Sequence, residues 1–470
     1  MIAAAHLALA ALTAIHAMVY KRDPRAALGW VSVCVLFPLF GPFFYFMFGI
    51  NRIHTQAHKL QHDLRWRWWI SYERGIIQHT PATPPGMLDP RFSRFLQISD
   101  RLASQALSPG NSVEMLKNGA QSYPAMLQAI DEARERVYLT TYIFDADEIG
   151  DEFVAALGAA CKRGVDVRVI IDGVGELYSW PRVSRRLRRV GIEAVRFLPP
   201  RLFPPAFTIN LRNHRKILVV DSSTAFTGGM NIGARHLVDE SNGTGTADLH
   251  FRMHGPIVRE LQAIFADDWQ FASGESLALP DETPESHGEV CCRCISDGPN
   301  GDLDRISLSL MAAISAAQHS LTIVTPYFLP SREMIASLQS AALRGVSISI
   351  ILPEKSNLRF VDWATRNLLW ELLQYSVNVL YQPSPFAHTK LFIVDGLYAQ
   401  VGSANIDPRS LRLNFELNIE IFGEECVAGL ADYASTIQRT ARPVSLQEVD
   451  GRSLPVRIRD ATCWLFLPYL

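Results

Sequence analysis

The sequence predicts an α/β protein: two pseudo-symmetric α/β lobes that build one shared site, preceded by an N-terminal membrane helical hairpin. Three observations predict it. Two long apolar runs open the chain, at 2–20 and 27–50. From about residue 108 onward, helix-period and strand-period stretches alternate. One composite stretch occurs twice: Asn213-His214-Arg215-Lys216-Ile217-Leu218-Val219-Val220-Asp221 before Gly228-Gly229-Met230-Asn231, then Ala387-His388-Thr389-Lys390-Leu391-Phe392-Ile393-Val394-Asp395 before Gly402-Ser403-Ala404-Asn405. Each copy reads His-x-Lys, four apolar residues, Asp, then Gly-x-x-Asn. All three landmarks repeat at one spacing, so the copies are in register.

Taken in order, residues 1–50 are expected to form the anchor. The first run is apolar apart from His6 and His16, and no basic residue precedes it, so a secretory signal fits poorly. Lys21-Arg22-Asp23-Pro24-Arg25 reads as a tight polar turn. Pro38 and Pro42 would kink the second run, and a re-entrant segment explains them equally well. Basic residues Arg52, Lys59, Arg65, Arg67 and Arg74 follow the hairpin, which favours a catalytic part on the cytoplasmic side of a cell membrane. Trp66, Trp68 and Trp69 alternate with arginines there and suit a lipid headgroup layer. Residues 51–107 are read as an interfacial segment and linker, with four prolines between Thr80 and Phe92.

The first lobe is expected over 108–285. A helix around 127–133 leads into the strand 137–144; a second helix at 151–163 closes on Gly164 and precedes the strand 165–172. The second lobe, 286–470, repeats the order with a helix near 305–318, a strand at 321–328, a helix at 332–343 closing on Gly345, and a strand at 346–351. The closing stretches 248–255 and 416–423 also correspond. Pro, Ser and acidic residues between Gly274 and Glu289 mark the boundary.

A net charge of −2 supplies no global basic field, which argues against a nucleic-acid partner. Seven cysteines, odd in number and mostly isolated, point to reduced thiols. Cys291-Cys292-Arg293-Cys294 has no second Cys/His pair at metal spacing nearby, so a strand is the better reading than zinc.

The repeated residues carry the chemistry. A histidine and lysine two apart on a strand share a face, so His214 with Lys216, and His388 with Lys390, can reach one site. Asp221 and Asp395 fall on the opposite face and are expected to hold strands, although they belong to the same motif. Asn231 and Asn405 supply amide donors, and acids follow at Asp248 and Glu416. Cationic and amide donors around two histidines suit an anionic phosphoryl centre: one imidazole attacks phosphorus, the other protonates the leaving alkoxide, and an acid on each far ring nitrogen fixes the tautomer. The lysines would repel a metal cation, so neither metal nor cofactor is expected.

At these residues the chain resembles the phospholipase D superfamily, whose signature is a duplicated His-x-Lys-x4-Asp. Arg22-Asp23-Pro24, the Phe-rich hairpin, Asn210 to Lys216 and Gly402 to Ser410 with Asn414-Phe415-Glu416 extend the resemblance over nearly the whole chain, to the bacterial cardiolipin synthases. The resemblance implies phospholipase D-like lobes, a catalytic set of His214, Lys216, Asp221, His388, Lys390 and Asp395, and support from Asn231, Asn405, Ser403, Asp248, Glu416 and Arg409. It implies transfer of a phosphatidyl group from one phosphatidylglycerol to another through a phosphatidyl-histidine, with His214 the expected nucleophile and His388 the acid/base. It implies a lipid bilayer as partner. A hydrolytic phospholipase D is the nearest alternative.

The copies differ in two ways. Gly229 stands where the second copy has Ser403, and about six extra residues lie between Arg235 and Ala247. That insertion is read as a loop at the site mouth. The apolar stretches 199–207 and 464–470 could dip into the bilayer interface or cap the core.

Overall fold

The structure, a computed structural model, describes residues 2–21, 24–46, 90–103, 105–200, 210–239, 241–280, 284–298 and 304–466. The basic and tryptophan-rich stretch expected at 51–74, the proline-rich linker up to residue 89, residues 201–207 of the first apolar stretch and the last four residues lie outside that set.

The N-terminal unit contains a 19-residue helix, Ile2–Tyr20, and a 13-residue helix, Pro24–Leu36. Ala14, Ala17, Cys34 and Tyr45 pack together against Trp30 and Val31, and His16 Nδ1 and the Tyr45 hydroxyl are hydrogen-bonded at 2.8 Å. The second apolar run is not one helix. It stops at Leu36 and resumes only as Phe40–Phe44, because Pro38 lacks the amide that would continue the ladder. Thirteen residues rise about 20 Å, short of a hydrocarbon layer about 30 Å thick. Among the described residues no helix is long and apolar enough to cross a membrane. The expectation of two spanning segments is corrected to that extent.

The larger unit is built on one 15-stranded mixed sheet. From one edge inward, the first lobe contributes Glu193–Phe197, Asp166–Asp172, Arg136–Thr141, Ile217–Val220, Thr224–Gly228, Leu249–His254 and Ser108–Lys117. The second lobe contributes the same sequence of roles from the other edge: Asn378–Gln382, Ser347–Pro353, Ser320–Val324, Leu391–Val394, Tyr398–Gly402, Glu416–Phe422 and Val290–Asp297, with Arg442–Pro443 outside. In each lobe the outer three strands are parallel and the inner ones antiparallel. The lobes fuse where Ser108–Lys117 pairs antiparallel with Val290–Asp297. The cysteines at 291, 292 and 294 are therefore buried strand residues, and none of them forms a disulfide.

Helices cover both faces. Asn118–Glu132, Glu148–Lys162 and Val183–Arg189 close the first lobe's own core; Arg305–Ala316 and Arg332–Leu343 close the second's. Ile257–Ser273 and Glu424–Thr440 lie on the opposite face, and Phe265, Trp269, Val427 and Ile437 join strands of both lobes in one shared core. The helix Ser93–Leu102, within the stretch read as interfacial linker, belongs to the second lobe's core. Phe92 and Phe95 pack on Tyr398 and Phe422, and buried Ser99 donates to Glu420 at 2.6 Å.

Candidate active site

Both motif strands deliver their four apolar residues to the core: Ile217–Val220 and Leu391–Val394 are buried throughout. Their aspartates sit at the far ends, at positive φ, facing away from the histidines. Asp221 accepts from the amides of Arg134, Glu135 and Arg136 at 2.8–2.9 Å; Asp395 accepts from Gln318, His319 and Ser320 at 2.7–2.9 Å. Each carboxylate thus closes the turn that feeds its neighbouring strand. They fasten the motif strands, and neither lines the cavity that holds the histidines.

The preceding residues converge on one cavity of about 260 Å³, lined by His214, His388, Asn231, Asn405, Tyr142 and Tyr327 among others. The lobes lock each other there twice over. His214 N–H donates to Phe415 O at 2.9 Å, and His214 Nδ1 lies 3.0 Å from Glu416 Oε2. His388 N–H donates to Ala247 O at 2.7 Å, and His388 Nδ1 lies 2.8 Å from Asp248 Oδ2. Each histidine is held by the acid of the opposite lobe, and by the carbonyl just before that acid. The extra residues of the first lobe contribute to this: Thr246–Ala247 pairs parallel with Phe386–Ala387, so the insertion is a cross-lobe brace as well as a cavity wall.

The lysines lie beside the imidazoles. Lys216 Nζ donates to His214 O at 2.6 Å, and Lys390 Nζ reaches the His388 ring at 2.8 Å. Burial lowers the Lys216 ammonium to about 7 and that of Lys390 to about 8. Burial also lowers both histidines, His388 most strongly, with Lys390 beside it acting in the same direction. The two acids diverge. Burial raises Asp248, whereas at Glu416 the charges of His214 and Lys216 outweigh burial and hold the carboxyl below its usual range.

The copies' differences have structural causes. Ser403 Oγ donates to Glu416 Oε2 at 2.6 Å and accepts from Leu417 N at 3.0 Å. At Gly229 a Cβ would stand 2.5 Å from Asp248 Oδ2, so a side chain there would have to displace that acid. Asn231 Oδ1 accepts from Ile143 N at 3.1 Å, and Asn405 Nδ2 contacts Ser410 Oγ at 3.3 Å. Arg409 lines the cavity, as does Arg235, which is paired with Asp145.

Sequence reasoning missed Arg235, His236, Asp407, Tyr142 and Tyr327 in the wall. Arg235 and His236 sit in register with Arg409 and Ser410, so the repeat itself held that signal. Asp407 caps the helix Pro408–Arg412, and burial raises its carboxyl to about 6. The two tyrosines follow strand ends, where no periodicity marks them.

Fold and site together define a phospholipase D-like protein with a two-histidine centre. The family model described as "Cardiolipin synthase, PLD-like domain" matches residues 126–269 and 310–437, and "Phospholipase_D-nuclease N-terminal" matches 8–49. The chain belongs to the cardiolipin synthase family of phospholipase D-like proteins. It is 31% identical to a cardiolipin synthase of Geobacillus sp. (strain WCH70) over 96% of this chain and 90% of that one. It is 30% identical to the major cardiolipin synthase of Bacillus subtilis (strain 168), over 96% and 95% respectively. Among solved structures, the phosphatidylserine synthase of Haemophilus influenzae Rd KW20 shares the fold, with a TM-score of 0.61 at 16% identity, over 76% of this chain and 95% of that one.

Proposed function

We infer that the protein is a cardiolipin synthase, a phosphatidyltransferase acting on phospholipids. The observation that carries the chemistry is the crossed arrangement, in which two imidazoles face one cavity with each Nδ1 held by an acid. That arrangement turns both Nε2 atoms away from the acids, and at His388 the Lys390 Nζ stands 3.1 Å from Nε2.

His214 is our choice of nucleophile. With its Nδ1 held by Glu416 at 3.0 Å, the His214 ring keeps Nε2 as the lone-pair nitrogen that a nucleophilic imidazole needs. Its Nε2 attacks the phosphorus of one phosphatidylglycerol. The bond from phosphorus to the glycerol oxygen breaks, and His388 gives its proton to the departing alkoxide. Asp248, raised by burial, shares that proton with His388, and the bound phosphodiester's negative charge favours keeping it there. Glycerol leaves, and a phosphatidyl group remains on His214. The terminal hydroxyl of a second phosphatidylglycerol then loses its proton to His388 and attacks phosphorus. The phosphorus–nitrogen bond breaks, and cardiolipin is released. Lys216 and Lys390, with Asn231, Asn405 and Arg409, hold the phosphate oxygens through both steps. Halves 108–285 and 286–470 thus each supply one histidine and the other's acid.

The N-terminal unit, over which the second family model matches, is assigned to holding the enzyme at a cell membrane with the catalytic part on the cytoplasmic side. Incubating the purified full chain with phosphatidylglycerol tests the function: cardiolipin plus glycerol is expected, and phosphatidic acid alone would replace transfer by hydrolysis.

A further inference from the structure

We propose that the rim of the cavity is itself a membrane-docking face, in which one loop from each lobe inserts into an anionic bilayer; this rests on the lipid substrate inferred above. In the first lobe the turn Gly175–Tyr178 follows the strand Asp166–Asp172 and places Tyr178 in the cavity wall. In the second lobe the loop after the equivalent strand, Ser347–Pro353, places Leu358 in the same wall. These two loops are counterparts under the lobe repeat, so they flank one opening.

Both carry large apolar side chains turned to solvent. Trp180 is 79% exposed and Leu177 is 49% exposed; across the mouth Phe360 is 47% exposed. The adjoining helix Leu454–Leu465 continues the apolar edge. Trp464 and Tyr327 of the cavity wall both pack against the cluster of Leu329, Val361, Ala364 and Leu368, while Leu465 and Phe466 stay exposed. Indole and phenyl rings in this setting favour the headgroup boundary over water.

Charge matches the same surface. Arg185 is exposed in the first turn of the helix Val183–Arg189 that follows Trp180, and Lys355 and Arg359 are exposed in the second loop. The chain as a whole carries −2, so this basic rim is local. Apolar residues interleaved with arginine and lysine fit a bilayer of anionic lipid. The cavity gives the geometric reason: about 260 Å³ holds a headgroup and its phosphodiester, below the usual volume of a site for a drug-sized ligand (about 300 Å³ and above), and leaves no room for two acyl chains. Those chains stay in the bilayer while the phosphorus reaches the histidines, so the mouth must meet the lipid surface.

Bromolipid quenching tests this without reference to turnover. The full chain and its Trp180→Phe variant are reconstituted into vesicles of phosphatidylglycerol and phosphatidylcholine, with plain or dibrominated acyl chains. The emission lost on replacing Trp180 is expected to be quenched by the brominated lipid; if that component is unquenched, Trp180 stays in water and the proposal falls. A Leu177→Ser/Phe360→Ser variant is then assayed on dilute phosphatidylglycerol in vesicles and on dispersed short-chain phosphatidylglycerol. We expect a loss of about five- to tenfold on vesicles and an unchanged rate on the dispersed lipid. Equal losses on both, or none on vesicles, would overturn the docking role. Absence of cardiolipin from the native chain on either substrate would instead strike the functional reading and leave the quenching result standing.

Discussion

Glu416 Oε2 lies 3.0 Å from His214 Nδ1, although 202 residues separate them and they belong to different lobes. Asp248 holds His388 in the mirrored sense, at 2.8 Å. Neither lobe can therefore present a correctly oriented imidazole without the other.

Removing the charge of either acid while keeping its shape should break the tautomer control. Glu416→Gln and Asp248→Asn are each expected to lower kcat for cardiolipin formation by about 10²- to 10⁴-fold, with substrate KM little changed. Steady-state assays on vesicles containing phosphatidylglycerol check this.

His214→Ala and His388→Ala should each abolish transfer. Acid-free quenching of the native enzyme during turnover, followed by peptide mass spectrometry, should find the phosphatidyl group on His214. Its recovery on His388 would reverse the two roles.

The lysines set an alkaline limit. Burial lowers Lys216 to about 7 and Lys390 to about 8, so raising the pH through that window removes the charges that bind phosphate. For the free enzyme kcat/KM should fall as pH rises from 7 to 9. Lys216→Arg, whose guanidinium stays charged, should move that limb to higher pH even where its maximum rate is lower. A pH profile of kcat/KM for both proteins decides it.

Asp221→Ala and Asp395→Ala should act on folding and spare the chemistry. Each leaves three backbone amides without their acceptor; two of the three lie at the exposed turn and can turn to water, so the cost is roughly 1–3 kcal/mol in all, mainly from the part-buried amide of Arg136 or Ser320. Denaturant unfolding should show the loss, while the kcat of the folded fraction stays within about threefold of native.

At the positions where the copies differ, the two lobes should respond unequally. Gly229→Ala brings a Cβ to 2.5 Å from Asp248 and must displace the acid behind His388, so activity should fall by about a hundredfold or more. Ser403→Ala removes one hydrogen bond to Glu416 and should cost only about tenfold. Parallel assays of the two variants measure the difference.

The double motif, the α/β repeat and the strands around it are legible in the sequence, because apolar periodicity and closing glycines are local properties, whereas Ser108–Lys117, Glu193–Phe197 and Asn378–Gln382 are not read there as strands. The helix expected at 332–343 falls at Arg332–Leu343, and Gly164 and Gly345 both close helices at positive φ. The sequence also separated the aspartates from the histidines, since an odd spacing on a strand puts side chains on opposite faces. Tertiary structure decided what local pattern cannot encode. That Glu416 serves His214 and Asp248 serves His388 depends on how two lobes meet, and no spacing within one copy specifies a partner in the other. The break of the second apolar run at Pro38, the place of Phe92 and Phe95 in the second lobe's core, and the brace formed by Thr246–Ala247 are likewise long-range outcomes. The duplicated motif announced two half-sites; only the packing of one half against the other made them a single centre.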